Sequence, residues 1–420
     1  HRRSSAASDV YKRQNQHPLT QLQVDSVKKI IKNLEFYNNI VYKDSSDLHF
    51  MMLFLNKDIF NSNNRGTLIE DIRSKALSYS NYFSHLKFSG LPFIRSVMMT
   101  TVQKELKVFI VGNKHPGWGG KYFVFVKLTT NNGFVGYGEV YSASISPEKM
   151  TYVIEDIFER HMKGENPENI ELMFRRIYSS GFTQRPDPTI IGAFSGLEIA
   201  CWDILGKSCG KPIYSLLGGA MQKRIRSYTY LYPLPHHDHK KFWSNPDMAV
   251  ESAREMLKLG FTAIKFDPAG PYTIRGGHQP SMFDINLSIE FCKALRQTVG
   301  NKADLLFGTH GQFTTSGAIR LGKALEEFNL LWFEEPIPPD NIDEFKKVAT
   351  QVNIPIATGE RHTTKSEFAA LLKLGNVSIL QPALGRAGGI LEAKKISAIA
   401  EVFNAQIAPH LYAGPIEWAA

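Results

Sequence analysis

The chain has 420 residues, of which 43% are hydrophobic, and it carries a formal net charge of +9. This length suffices for two or three domains, and no run of about 18 apolar residues predicts a membrane span. The excess positive charge lies mainly in residues 1–97, with 14 Lys/Arg and 8 Asp/Glu against 35 and 32 in the rest, so the near-neutral remainder argues against a nucleic-acid partner.

The cysteine content and the N-terminus indicate a cytoplasmic setting. Cys201, Cys209 and Cys292 form neither a disulfide framework nor a paired zinc knuckle. The N-terminus lacks the basic, apolar and small-residue succession of a secretory signal.

Residues 1–97 differ in character from the rest of the chain. They lack hydrophobic periodicity and are rich in Asn, Lys, Ile and Ser. A clear strand pattern begins only after Met98 and Met99. We therefore predict that residues 1–97 are extraneous or disordered and that the natural protein starts near Met99; the alternative is a genuine helical extension.

Residues 98–222 are predicted to form an α+β domain. "KVFIVG", "YFVFVKLTT" and "FVGYGEV" have the composition of strands, and "NNG" supplies a hairpin turn between the last two. Amphipathic patterns predict helices at 148–162, 168–178 and 189–207.

Residues 223–420 alternate between short apolar strands and amphipathic helices, which predicts a parallel sheet. Seven successive units favour a closed (β/α) barrel over an open doubly wound sheet, because no G-x-G-x-x-G follows the first strand. The predicted strands are "SYTYLY", "AIKFD", "DLLFGTH", "LWFEEP", "IPIATGE", "SILQPA" and "AQIAPH". The predicted helices are 247–260, 284–299, 315–327, 340–350, 364–374 and 388–403.

Polar residues end one predicted strand after another: Asp267, His310, Glu334, Glu360 and His410. Barrel enzymes carry their chemistry at the C-terminal ends of the strands. The intervals from His310 onward are 24, 26 and 50 residues, which correspond to one, one and two compact repeats. The spacing predicts that these side chains meet at one rim.

The two carboxylates at this rim favour a cation between them. Converging carboxylates repel each other unless a cation neutralises them, and oxygen ligands with open positions suit Mg²⁺. Strand alternation lets only one of the adjacent Glu334 and Glu335 face the barrel interior, so the other packs outward or pairs near the mouth. The alternative is a surface salt-bridge pair.

Several motifs in order resemble the enolase superfamily, in its mandelate racemase-like branch. "SGLEIACWDILGKSCGKPIYSLLGG" (195–219) is similar to the branch signature between the capping and barrel domains. "WFEEP", "TGER", "ILQPALGRAGGI" and "IAPHLYAGPIEWAA" resemble sugar-acid dehydratases that act on galactonate, mannonate and related acids. The resemblance spans about 107–420 and implies an N-terminal capping domain (98–222) and a catalytic barrel (223–420) that stops before its last unit.

The resemblance implies one divalent cation, Mg²⁺, held at three successive strand ends. Glu334 and Glu360 match the second and third ligands. The first is normally an Asp two residues before a His, but Gly308 stands there, before Thr309 and His310. Asp267 on the neighbouring strand is our preferred replacement; water and substrate oxygens, or weak metal binding, are the alternatives. Asp267 can also be a turn residue before Pro268.

The resemblance also implies two catalytic histidines, His310 and His410, of which one removes an α-proton and the other protonates the departing β-hydroxyl. The family often orients the second histidine with an Asp in Gln-Pro-Asp, where this chain has Ala383. An unpaired histidine has a lower pKa. The base is therefore His410, His310, Lys265 or Tyr272, and the sequence leaves this choice open.

Three further residues are candidates for the substrate site. Tyr272 and Arg275 belong to a long loop after the second barrel strand, and Arg275 is suited to bind a distal carboxylate, as in a diacid. The resemblance places Trp118 in a capping loop that shapes specificity, although a core position is equally compatible. The tract "LPHHDHKK" (234–241) is interpreted as a solvated loop rather than a metal site.

We therefore expect an Mg²⁺-dependent carbon–oxygen lyase that converts an aldonate or aldarate to a 2-keto-3-deoxy acid and forms a homo-oligomer. Epimerisation and cycloisomerisation are the alternatives within the superfamily. From a different class, a catalytically silent binding protein is compatible with the replaced carboxylates at 308 and 383.

Overall fold

The computed structural model describes residues 101–112, 122–141, 144–270, 277–373, 375 and 377–420. Residues Thr101–Ala420 form one compact unit. The predictions for residues 1–97 lie outside the described residues, and the predicted boundary between 222 and 223 stays a prediction.

The first part of this unit is a three-stranded antiparallel sheet with helices on one side. Strands β1 (Gln103–Gly112), β2 (Tyr122–Thr130) and β3 (Val135–Val140) pair in the order β1-β2-β3. The helices are α1 (Pro147–Ile157), α2 (Ile170–Tyr178), α3 (Pro188–Cys209) and α4 (Ile213–Leu216), with a π-helical turn at Phe158–Met162. We call residues 101–216 the cap.

Helix α3 is the central element of the cap. Asp187 caps its N-terminus by accepting from the amides of Thr189 and Ile190, Pro188 occupies its first turn, and Gly210 ends it in the left-handed conformation. By length and composition α3 could cross a membrane, but 78% of its apolar window is buried in the structure. Gly138 on β3 lets the helix approach closely, since a Cβ there would collide with the Gly196 carbonyl.

The second part contains seven consecutive parallel strands in the order β4 to β10, which confirms the predicted strand–helix alternation. The strands are β4 (Thr229–Tyr230), β5 (Ala263–Phe266), β6 (Asp304–Gly308), β7 (Trp332–Glu334), β8 (Ile356–Thr358), β9 (Ile379–Leu380) and β10 (Gln406–Ile407). The first, sixth and last predicted strands are only two residues long in the structure.

The helices that follow the strands cover the outer face of this sheet. They are α5 (Pro246–Lys258), α6 (Met282–Val299), α7 (Thr315–Leu325), α8 (Ile342–Gln351), α9 (Lys365–Lys373), α10 (Ile390–Val402) and α11 (Pro415–Ala419), with 3₁₀ turns at Phe242–Ser244 and Glu326–Phe328. Polar caps fix several starts, such as the Ser281–Asp284 capping box of α6.

Side-chain alternation along the strands separates two buried layers. Phe266, Phe307 and Phe333 belong to the layer between sheet and helices, where neighbouring rings lie 5.5 and 6.0 Å apart in edge-to-face contact. Leu306 and Trp332 belong to the inner cluster of the barrel. Because Glu334 is two residues after Trp332, its side chain shares the inner face.

Candidate active site

The carboxyl ends of β5 to β10 bring the predicted polar residues to one rim. Parallel pairing aligns Gly308 with Glu334, and Glu334 with Ala357. His310, Glu360 and His410 follow two or three residues after their strands. We call this set of strand ends the rim.

Glu334 is almost fully buried and its carboxylate has three nitrogen donors. The Lys265 ammonium forms an ion pair with Oε1. Trp332 Nε1 donates to Oε2 at 3.0 Å, and Gln381 Nε2 donates to the same oxygen at 2.8 Å. The inner-facing carboxylate predicted from strand alternation is therefore Glu334.

Lys265 occupies the space beside the residue that replaces the family aspartate. A Cβ added to Gly308 would lie 2.9 Å from Lys265 Cε and 3.8 Å from Asp267 Cβ. Burial acts to lower the pKa of Lys265, but the charges of Glu334, Tyr228 and Glu360 outweigh it and raise the pKa above its usual value. The role of Lys265 as a candidate base stays a prediction.

Glu360 is buried against several basic side chains. His410 Nε2 lies 3.4 Å from its Oε2, and Arg361 Nη2 lies 3.6 Å from its Oε1. Burial alone would raise the pKa of Glu360, but His410, Lys265, His310 and Arg361 together lower it to about 2. Its Oε2 is buried without a hydrogen-bond donor among the described residues.

His410 is mostly buried, with 14% of its side chain exposed. With Ala383 in place of a carboxylate, its Nδ1 has no hydrogen-bond partner among the described residues. Burial lowers the pKa of His410, although Glu360 opposes the shift. The ring of Tyr141 from the cap lies edge-on to it, 6.3 Å away.

His310 pairs with Asp267 across neighbouring strands. Its Nδ1 lies 3.2 Å from Asp267 Oδ2, and the hydroxyl of Tyr230 donates to Asp267 Oδ1. His310 itself has a left-handed backbone, with a φ of 53°. The structure thus places Asp267 beside a histidine, and its role as a metal ligand stays a prediction.

The second glutamate of the "EE" pair, Glu335, is buried beside the rim rather than inside the barrel. The Arg361 guanidinium binds its Oε2 and Thr358 Oγ1 donates to its Oε1 at 3.2 Å. Burial raises the pKa of Glu335, and Arg361 opposes the rise. This is the pairing near the mouth that strand alternation allowed.

Glu334 and Glu360 offer carboxylate oxygens that a divalent cation could use as ligands. Magnesium is commonly held by one or two carboxylates and completed by water or substrate oxygens. The buried Glu360 Oε2 without a donor suits such an ion, whereas Lys265 already neutralises Glu334. Gly308 adds no ligand, so the donor set is smaller than the family pattern.

One group of three potential metal donors occurs among the described residues: His236, His237 and Glu251. His237 is buried against Phe242, which corrects the interpretation of this tract as wholly solvated. Its Nδ1 accepts from the Leu234 amide at 3.1 Å. In the neutral ring Nε2 therefore carries the proton and donates to Glu251, which disfavours metal binding there.

Other predicted and unpredicted residues complete the site. Trp118, Tyr272 and Arg275 lie outside the described residues, so their roles stay predictions. Sequence reasoning did not single out several rim residues, although Arg361 belongs to the quoted motif "TGER" and Gln381 and Arg386 belong to "ILQPALGRAGGI". These residues are Tyr141, Tyr230, Arg361, Gln381 and Arg386. Arg386 stacks on Tyr141 at 4.3 Å and donates to the Glu360 carbonyl at 2.9 Å.

Comparison with known proteins adds independent findings. Residues 114–218 match the family described as mandelate racemase/muconate lactonizing enzyme, N-terminal domain, and residues 248–420 match the one described as enolase C-terminal domain-like. The chain is 38% identical over 318 residues to a D-gluconate/D-galactonate dehydratase of Picrophilus torridus, covering 74% of this chain and 75% of that protein.

Two further relatives agree with these matches. A D-galactonate dehydratase of Pectobacterium atrosepticum is 29% identical over 300 residues, covering 70% of this chain and 72% of that protein. A crystal structure of a mandelate racemase/muconate lactonizing enzyme-like protein from Roseovarius sp. TM1035 is 66% identical, with a TM-score of 0.75, covering 76% of this chain and 80% of that one.

Proposed function

Because the chain belongs to the mandelate racemase/muconate lactonizing enzyme family of the enolase superfamily, we propose that it is a hydro-lyase that dehydrates a sugar acid. The observation that carries this proposal is the presence of two imidazoles, His310 and His410, on one rim with two buried carboxylates. Relatives named gluconate and galactonate dehydratases support an aldonate as the substrate.

Glu334 and Glu360 would hold the Mg²⁺ ion that members of this superfamily generally bind, with Asp267 as the predicted third ligand. When bound, the ion acts as a Lewis acid that stabilises negative charge developing on the substrate carboxylate. Gln381 and Trp332 orient Glu334 by donating to Oε2, and such supporting hydrogen bonds fix the direction of a ligand.

The two histidines divide the proton transfers. Burial lowers the pKa of His410, although Glu360 opposes the shift, and we assign this ring to accept the proton from C2 of the substrate. His310, whose Nδ1 lies 3.2 Å from Asp267 Oδ2, is suited to donate a proton to the C3 hydroxyl as the C3–O bond breaks. Loss of water leaves an enol, which takes a proton at C3 to give the 2-keto-3-deoxy acid.

A screen of aldonates and aldarates with Mg²⁺ tests this function. We expect a 2-keto-3-deoxy acid from at least one substrate, and loss of product in His310→Asn and His410→Asn. His161→Asn provides a control because His161 lies in the π-helical turn of the cap. Turnover that survives both rim substitutions would overturn the assignment.

The same screen separates the alternative functions. Exchange of the C2 proton with solvent deuterium without loss of water would indicate an epimerase instead. Binding of a sugar acid with neither exchange nor product would indicate a silent binding protein. The cytoplasmic location and the homo-oligomer predicted from the sequence stay predictions.

A further inference from the structure

Two residues that follow neighbouring strands have a left-handed backbone, which residues other than glycine rarely adopt. His310 after β6 has a φ of 53°, and Glu335 after β7 has a φ of 46°. Such residues persist where the surrounding contacts over-determine them, and they cluster at functional sites. The contacts that hold these two residues therefore bear on the direction of the His310 imidazole.

Backbone contacts join the two left-handed residues. The Gly311 amide donates to the Glu335 carbonyl at 2.7 Å, and the Thr309 amide donates to the Glu334 carbonyl at 3.1 Å. The buried Thr309 hydroxyl lies 2.7 Å from the same Glu335 carbonyl. The turns after β6 and β7 thus form one hydrogen-bonded unit.

Arg361, from the turn after β8, connects this unit to a buried carboxyl group. Its Nη1 binds the Glu335 carboxylate, and its Nη2 donates to the His310 carbonyl at 2.8 Å. Glu335 is 1% exposed, and Thr358 Oγ1 fixes its other oxygen. A planar guanidinium can make both contacts at once, whereas an ammonium is a single point charge.

Gly311 leaves the space that this guanidinium fills. A Cβ at position 311 would lie 2.5 Å from Arg361 Nη1, and the glycine has a φ of 69°. The residue after His310 therefore has to be small, because the Arg361 guanidinium passes over it. The guanidinium is thus packed against the backbone next to His310.

We propose that Arg361, anchored by Glu335, is a positioning residue that fixes the His310 backbone and thereby aims its imidazole at the reacting atoms. The inference rests on the role of His310 in the proposed function. We assign the action of Arg361 to His310, because its guanidinium binds the Glu335 carboxylate and the His310 carbonyl, whereas its Nη2 lies farther, 3.6 Å, from Oε1 of the proposed metal ligand Glu360.

Kinetics of Arg361→Lys and Arg361→Ala test the proposal. We expect kcat to fall about tenfold to a hundredfold, the size of effect that a small misplacement of a catalytic group produces, with KM little changed. Added guanidinium ion should restore part of the kcat of Arg361→Ala and none of that of His310→Asn. Wild-type kcat in both Arg361 variants, with His310→Asn inactive, would overturn the proposal.

Arg296→Lys is the matched control. Arg296 also binds backbone carbonyls, including those of Phe328 and Asn329 at 3.1 and 3.0 Å, but these precede β7 at the end of the barrel opposite the rim. We expect this variant to lose stability and keep kcat. Equal kcat losses in Arg296→Lys and Arg361→Lys would reduce Arg361 to a structural role and contradict the proposal.

Two further measurements keep the inference testable if Arg361 variants fold poorly or His310 proves dispensable. Glu335→Gln keeps the shape of the side chain but weakens its contact with Arg361, so we expect a smaller fall in kcat than in the Arg361 variants. Nitrogen-15 NMR of the His310 ring reports its environment without turnover. A ring signal unchanged by Glu335→Gln and Arg361→Lys would overturn the proposal, whatever the activity of His310→Asn.

Discussion

At the scale of single residues, Lys265 is the feature that most distinguishes this rim. Its ammonium pairs with Glu334, and its stem lies where a side chain at position 308 would begin. A protein cation thus already neutralises one of the two carboxylates proposed to hold Mg²⁺. We therefore expect the affinity for Mg²⁺ to be set by competition between the ion and this ammonium.

Removing the positive charge of Lys265 should strengthen Mg²⁺ binding. We predict that Lys265→Met raises the affinity about tenfold or more, because a unit charge about 4 Å away contributes about 1–4 kcal/mol at high to intermediate effective dielectric. Glu334→Gln and Glu360→Gln should lower the affinity by at least as much. Isothermal titration with Mg²⁺ alone measures all three.

Glu327→Gln is the control for these titrations, since Glu327 lies in the 3₁₀ turn after α7, before β7 begins. Its Mg²⁺ affinity should equal that of the wild type. Affinity that is unchanged in Glu334→Gln and Glu360→Gln would show that the ion binds elsewhere.

At the scale of elements, a cap strand holds the segment that follows His410. The buried carboxylate of Glu139, at the end of β3, accepts from the amides of Gly414, Ile416 and Glu417 at the start of α11. The segment between β10 and α11 therefore depends on the cap for its position.

Glu139→Ala should loosen this segment. It leaves buried amides without an acceptor, at about 1–3 kcal/mol each where they stay desolvated. We predict a lower melting temperature, faster amide exchange in residues 411–419 and a lower kcat. Glu171→Ala is the control: its exposed pair with Lys395 should contribute about 0–1 kcal/mol. Unchanged exchange in 411–419 would contradict the anchoring role.

The elements also show what the sequence could and could not predict. The rim followed from the repeat, because polar residues at intervals of one strand–helix unit must share one end of a parallel sheet. The inner position of Glu334 followed from alternation once its strand was known. The contacts of Lys265 with Glu334 and of Arg361 with Glu335 join residues 69 and 26 positions apart, and no local pattern encodes which side chains meet.

Composition also overestimates the lengths of the strands, most clearly the first, the sixth and the last of the barrel. "SYTYLY" and "AQIAPH" have strand composition, but each lies at an edge of the described sheet, where β4 pairs only with β5 and β10 only with β9. Edge position alone does not explain the shortening, because β9 also has only two residues although it pairs with both β8 and β10.

At the scale of the whole molecule, buried carboxylates join the cap to the barrel. Glu198 on α3 accepts from the amides of Ile390 and Leu391 at the start of α10. Burial raises the pKa of Glu198 to about 7, against the effect of these hydrogen bonds. Burial also raises the pKa of Glu417 on α11 to about 7.

These raised pKa values make stability depend on pH. The folded state holds the Glu198 proton more tightly than the unfolded chain, so the contribution is present below about pH 4.5, the unfolded value, and is lost as pH rises through 7. We predict that Glu198→Gln flattens the fall in unfolding free energy between pH 5 and 8 by up to about 3 kcal/mol.

Denaturant unfolding at several pH values measures this difference. Glu171→Gln, at an exposed position, should give a curve parallel to that of the wild type. A Glu198→Gln curve that is also parallel would contradict the assigned pKa.

The most direct test of the account is proton NMR of the reaction in D₂O with Mg²⁺ and a panel of aldonates, including gluconate and galactonate. The account predicts a 2-keto-3-deoxy acid that carries solvent deuterium at C3, and no product from His410→Asn. The account would be contradicted if every aldonate stayed unreacted and kept its C2 proton while the protein was folded and bound Mg²⁺.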